Sequence, residues 1–174
     1  MDKKIFFIGG IHGVGKSAIC NILCKEFNLK YLSASHIINW NDSKVKNVDN
    51  VSSTQNKLIS GLQESIINGG NFLLDGHFSL INNDDNVENI PLETFEHIDP
   101  INLNLIIGDT VEISQRLLKR DGKFYEPIFL KKLQDCEISN AKMISEKLNV
   151  NLNICTTNDY SKIFTAFNLY LPKL

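Results

Sequence analysis

The sequence predicts an α/β domain with a five-stranded parallel sheet between helices, three layers in all. Short apolar runs alternate with helical patterns along the whole chain, the signature of a parallel sheet covered on both faces. The first run, Ile5 to Ile8, passes through a glycine-rich stretch into a helix-like segment beginning at Ser17. The chain's 174 residues, 43% hydrophobic and 22% charged, suit one globular domain with a sizeable core.

The elements follow in order. Strands are expected near 4–9, 29–33, 71–75, 102–108 and 151–155, and helices near 16–27, 53–68, 110–120, 127–148 and 160–171. Ser52 with Gln55, and Asp109 with Glu112, have the spacing of capping boxes. Pro127 suits the first turn of the longest helix, and Gly69-Gly70 ends the helix before the third strand. Two stretches rich in Asn and Asp, 41–51 and 76–91, read as irregular. They flank the ends of strands two and three, where ligands bind in open parallel sheets. The expected organisation is a single domain over 1–174, with an insertion at about 34–68 and a short lid at about 121–127.

Composition excludes several roles. A formal charge of −2 without a basic run gives no basis for general nucleic-acid binding. No stretch approaches the ~18 apolar residues of a membrane span. Gly9 arrives too early for a signal-peptide core, so the expected location is cytoplasmic. Cys20, Cys24, Cys136 and Cys155 are scattered as reduced thiols would be, and the Cys20/Cys24 spacing reads as two packed side chains.

Gly10 to Ser17 spells G-x-x-x-x-G-K-S, between a strand and a helix. This setting lets backbone N–H groups turn inward around an anion, with the helix's positive end aimed at the same place. The candidate nucleotide-binding set is Gly10, His12, Gly13, Val14, Gly15, Lys16, Ser17 and Ala18. Lys16 is expected to reach the β- and γ-phosphates of ATP, and Ser17 to offer its hydroxyl to Mg²⁺.

The third strand ends in Asp75-Gly76-His77, which puts an acid at the carboxyl edge of the sheet near that loop. Asp75 is therefore the second expected Mg²⁺ ligand. His77 has two readings, a proton relay or a hydrogen-bonded structural residue. Arg116 and Arg120 are the only arginines; the other sixteen basic residues are lysines. Four apart, they share a helix face, and guanidinium groups suit charge on a transferring phosphoryl group. Asp121 to Glu126 can close as a lid, with Lys123 and Lys131 as candidate contacts. Thr156-Thr157-Asn158 either lines a purine ring or caps the final helix.

In these features the chain resembles the nucleoside-monophosphate kinase group of phosphate-loop proteins. It is most similar to the archaeal-type adenylate kinases and to the adenylate-kinase-like nuclear ATPase of ribosome maturation. The resemblance runs from Gly10–Ser17 through Leu29-Lys30-Tyr31-Leu32, Gly69-Gly70, the D-x-H of Asp75 and His77, and the R-x-x-x-R of Arg116 and Arg120. It ends in the long helix with Leu133-Gln134-Asp135-Cys136-Glu137-Ile138. It implies transfer of the γ-phosphoryl of Mg-ATP to a nucleoside monophosphate, with Lys16, Asp75, His77, Arg116 and Arg120 as the catalytic set. Better-known adenylate kinases carry further arginines in the acceptor region and lid, and this chain has none there. That difference keeps two alternatives open. One is an ATPase switch acting on a protein or ribonucleoprotein partner, and the other a kinase of a small hydroxyl metabolite.

Overall fold

The computed structural model describes residues 3–38, 47–48, 51–66, 68–82 and 86–171, with 47–48 and 51–53 described by their backbone only. The chain begins with β1 (Lys3–Gly9), α1 (Lys16–Glu26), β2 (Lys30–Ser33), α2 (Ala34–Ile37), β3 (Asn47–Val48) and α3 (Val51–Ile66). Next come β4 (Gly70–Asp75), β5 (Ser79–Asn82), β6 (Val87–Asn89) and α4 (Leu92–Ile98). It closes with β7 (Asn102–Ile107), α5 (Thr110–Asp121), α6 (Pro127–Leu148), β8 (Leu152–Thr156) and α7 (Ser161–Tyr170).

The main sheet has the order β2-β4-β1-β7-β8, with every pair parallel. This is the expected five-stranded sheet flanked by helices. β1 lies in the middle, so its side chains feed two cores on alternate faces. Phe6 and Ile8 pack with Ile19 and Leu23 of α1, Leu117 of α5 and Phe167 of α7. Ile5 and Phe7 pack with Leu62 of α3, Phe95 of α4 and Ile144 of α6. A strand apolar at every position is thus explained by burial on both sides. In the second core Phe7, Phe78 and Phe95 meet with ring centroids 4.9–5.3 Å apart.

The register places the site. β4 runs beside β1 with Asp75 paired to Ile8, and the Gly76 N–H donates to the Ile8 carbonyl at 3.0 Å. Asp75 therefore leaves the sheet at the same edge as the loop that follows Gly9. β7 flanks β1 on its other side and carries Asn102 and Asn104, both fully buried. Asn104 Nδ2 donates to the Phe7 carbonyl at 3.0 Å, and Asn153 Nδ2 of β8 donates to Asn104 Oδ1 at 3.0 Å. These polar side chains stay inside because each finds a partner.

Some expectations need correction. The stretch 76–91 is not irregular throughout: β5 and β6 pair antiparallel there, and β3 joins β5 in a second sheet ordered β3-β5-β6. The short helix α4 follows. Strands of three or four residues flanked by asparagines leave too little period to read. The stretch 41–51 lies largely outside the described residues, apart from β3 and the start of α3. Because α3 begins at Val51, Ser52 sits within its first turn rather than at the cap. Asp109 does cap α5, its Oδ1 accepting from the Val111 and Glu112 N–H groups at 2.9 Å each. Pro127 opens α6, and Gly69 at φ 68° closes the chain after α3 with its N–H on the Ile66 carbonyl.

Candidate active site

The loop from Gly10 to Gly15 is shaped by its neighbours as well as by its own glycines. Gly10 has φ 144°, and a Cβ there would lie 2.5 Å from the Ile106 carbonyl oxygen of β7. Gly13 has φ 80°, and a Cβ there would lie 2.7 Å from Leu117 of α5. Only glycine lets the loop seat so closely against β7 and α5 in these conformations. Val14 is buried in the first core, which anchors the loop from below.

Lys16 opens α1 and is buried. Its Nζ donates to the Gly10 carbonyl at 2.5 Å and stands 3.9 Å from Asp75 Oδ1. A buried ammonium needs such acceptors, and these hold it over the loop. Tyr31 donates its phenol to Asp75 Oδ2 at 2.9 Å. Burial, and then the Asp75 charge, push the Tyr31 phenol and the Cys20 thiol upward, so both keep their protons.

Arg116 reaches the loop itself. Its Nη1 donates to the carbonyls of Gly13 at 2.7 Å and Val14 at 3.2 Å. Arg120 pairs with Asp121 through Nε at 2.5 Å and Nη2 at 2.7 Å, and its Nη2 also meets His12 Nε2. The Arg120 guanidinium holds the Asp121 carboxyl below the usual carboxylate range, with His12 adding to the effect. Both arginines thus reach residues of the phosphate loop.

His77 has a partner that sequence reading gave no role. Its Nδ1 lies 3.1 Å from Oε1 of Glu137, a fully buried carboxylate on α6. Glu137 Oε2 accepts the Phe78 N–H at 2.8 Å, and one turn on, Asn140 Nδ2 donates to the carbonyls of Phe78 and Ile90. α6 therefore grips the chain just after Asp75-Gly76-His77. A polar residue interrupting an apolar helix face was the available signal.

A cavity of about 530 Å³ joins these groups. His12, Gly13, Gly15, Lys16, Ser17, Ala18, Asp75, His77, Arg116 and Arg120 all line it. Gly10 and Val14 do not; they support the loop from behind. Lys123 lies over the Tyr125 ring, 4.9 Å from its centroid, and Lys131 pairs with Asp135 at 2.9 Å, so neither lines the cavity. The 122–126 segment is tied to α5 by the Ser114 hydroxyl, which donates to the Tyr125 carbonyl at 2.5 Å. Thr157 approaches the loop, within 2.9 Å of where a Gly15 Cβ would stand, while Thr156 Oγ1 accepts the Asp159 N–H.

The donor set suits the expected ligands. Ser17 and Asp75 present oxygen ligands to one cavity, the hard chemistry that Mg²⁺ prefers. Among the described residues no cluster of three or more His, Cys, Asp or Glu side chains forms a separate metal site. No helix among them is long and apolar enough to cross a membrane.

A strand, a glycine loop and a helix at the carboxyl edge of a parallel sheet define a P-loop protein with the fold of the P-loop kinase group. Residues 9–127 match the AAA domain family, and the chain belongs to it. No curated protein matches the sequence. The fold is similar to that of a gluconokinase from Sinorhizobium meliloti 1021, at TM-score 0.58 and 9% identity over 98% of each chain. It is also similar to a sugar kinase from Janibacter sp. HTCC2649, at TM-score 0.60 and 12% identity over 97% of this chain and 94% of that one. A chain of the PezAT chromosomal toxin-antitoxin system of Streptococcus pneumoniae gives TM-score 0.54 and 16% identity, over 90% of this chain and 69% of that one. At such identities the likeness is one of fold.

Proposed function

We propose that this chain transfers the γ-phosphoryl group of Mg-ATP to a small acceptor held in the same cavity. One observation carries the reading: the cavity is continuous from the phosphate loop, past Asp75 and His77, into a chamber between α3 and α4. Phosphoryl transfer asks the protein chiefly to position two reactants and to balance charge. Gly13, Gly15, Lys16 and Ala18 would hold the donor phosphates through loop N–H groups and the Lys16 ammonium. Arg116 and Arg120 stand where guanidinium groups can stabilise charge on the transferring group. Ser17 and Asp75 would hold Mg²⁺, which when bound draws charge off the phosphate oxygens. Tyr31 fixes Asp75, and Glu137 fixes His77, so the two side chains face the reactants in set orientations.

The fold neighbours named for gluconate and sugar phosphorylation are consistent with this reaction class. A nucleoside monophosphate is the acceptor implied by the adenylate-kinase resemblance. A hydroxyl metabolite is the second reading, favoured by the lack of lysine and arginine in the described lining of the far chamber. In either case the described cavity-lining residues of the 34–68 insertion would contribute the acceptor side, and 121–127 would act as the lid. A panel of acceptors, assayed for ADP release, tests the proposal. Acceptor-dependent ADP formation is the expected result. Turnover indifferent to every acceptor would leave the ATPase switch with a macromolecular partner as the better reading.

A further inference from the structure

We infer that the chamber between α3 and α4 selects an uncharged acceptor, an alcohol with an apolar or heterocyclic body, and that Gln55 and Thr94 recognise it. The inference rests on the phosphotransferase reading and names the class of acceptor at that site. Gln55 and Leu58 lie three apart on α3, and Thr94 and Phe95 lie on α4, so the facing helices present the Gln55 amide and the Thr54 and Thr94 hydroxyls over an apolar floor. Leu80 and Ile90 complete that floor.

Gln55 is 6% exposed and Thr94 3% exposed. Polar side chains that deep are normally hydrogen-bonded. Neither the Gln55 amide nor the Thr94 hydroxyl bonds a described residue, and neither is sealed in the protein as Asn140 Oδ1 is. Both belong to the cavity wall, so their hydrogen-bonding capacity faces the space where an acceptor sits. A carboxamide presents a donor beside an acceptor, which fits an amide, lactam or heterocyclic edge.

Charge points the same way. The lysine and arginine side chains described around the cavity are Lys16, Arg116 and Arg120, all at the phosphate-loop end. Each is engaged there, on Gly10, on Gly13 and Val14, and on Asp121 respectively. A phosphate dianion buried between α3 and α4 would meet no described lysine or arginine, with His36 of α2 the one described titratable side chain at that end, a costly arrangement. A neutral body bears no such cost. In the reaction, the acceptor oxygen bonds the γ-phosphorus as the bond from that phosphorus to the bridging oxygen of ADP breaks. ATP and the alcohol then give ADP, the phosphate monoester and one proton released to solvent.

Four nucleosides, their 5′-monophosphates and glycerol serve as probes. Each nucleoside shares its body with its monophosphate and differs in charge, while glycerol is neutral without the body. Binding is read by calorimetry without ATP, and transfer by radiolabelled γ-phosphate. A nucleoside should bind more tightly than its monophosphate and than glycerol, and accept phosphate. Gln55→Leu and Thr94→Val should each raise the acceptor KM about tenfold, with the KM for ATP unchanged. Neither should lower the melting temperature, because each removes a buried polar group that has no partner among the described residues. Tighter binding or faster phosphorylation of the monophosphates overturns the inference and leaves the kinase reading intact. Preference for glycerol, no saturable binding of any neutral probe, or variants that lose stability with unchanged acceptor KM also overturn it. Nucleoside binding lost in Gln55→Leu, but with no transfer to any probe, upholds the chamber and removes the kinase reading.

Discussion

The two ends of the cavity are built from different materials. At the phosphate-loop end the backbone carries the architecture: glycines at 10 and 13 let the loop seat against β7 and α5, and carbonyls of the loop hold Lys16 and Arg116. At the proposed acceptor end the side chains do so, with Gln55, Thr94 and an aromatic cluster brought together from separate elements. A backbone site tolerates few residue types and so leaves a legible motif. A side-chain site tolerates many, and can change its ligand while the fold stays constant.

The sharpest way to break this contrast is to remove Lys16, the side chain proposed to hold the donor phosphates. Lys16→Ala should cut turnover by about 10²–10³-fold, while its circular dichroism matches the parent. Near-parental turnover would dissolve the donor assignment. The acceptor end should respond in stability as well as rate. Glu137→Leu strips the Phe78 N–H of its buried acceptor and frees His77, and should cost roughly 1–3 kcal/mol in urea denaturation. An unchanged midpoint would show that α6 does not hold this segment.

Smaller effects separate positioning from charge. Arg116→Lys keeps the charge but loses the guanidinium geometry at two carbonyls, so kcat should fall on the order of tenfold with little change in ATP affinity. Equal losses in both would make Arg116 a ground-state ligand only. Tyr31→Phe removes one hydrogen bond from Asp75 at a half-exposed site. It should raise the Mg²⁺ concentration needed for half-maximal rate by roughly two- to fivefold, and an unaltered Mg²⁺ titration would exclude Tyr31 from positioning Asp75.

The main sheet was legible because its central strands β1 and β4 are apolar runs between punctuating residues, and all five strands fall within a residue or two of their expected ends. The phosphate loop was legible for the same backbone reason as above. The small sheet was not, since β5 and β6 are too short to show a period; they pair with each other, and Asn140 of α6 bonds the flanking Phe78 and Ile90 carbonyls. Glu137 lay within a quoted motif, but its role depends on a contact 60 residues away, which spacing alone does not reveal. Gln55 was read as half of a capping box, and its burial against α4 is a property of packing. Asp109, by contrast, was read correctly as a cap because its partners are its immediate neighbours.

If one cavity holds donor and acceptor together, phosphorus NMR of a reaction with ATP, Mg²⁺ and a neutral alcohol acceptor should show ADP and a new phosphate monoester in equal amounts. Both should be lost in Lys16→Ala. ADP accompanied by free phosphate, formed at the same rate with or without the acceptor, would contradict that arrangement.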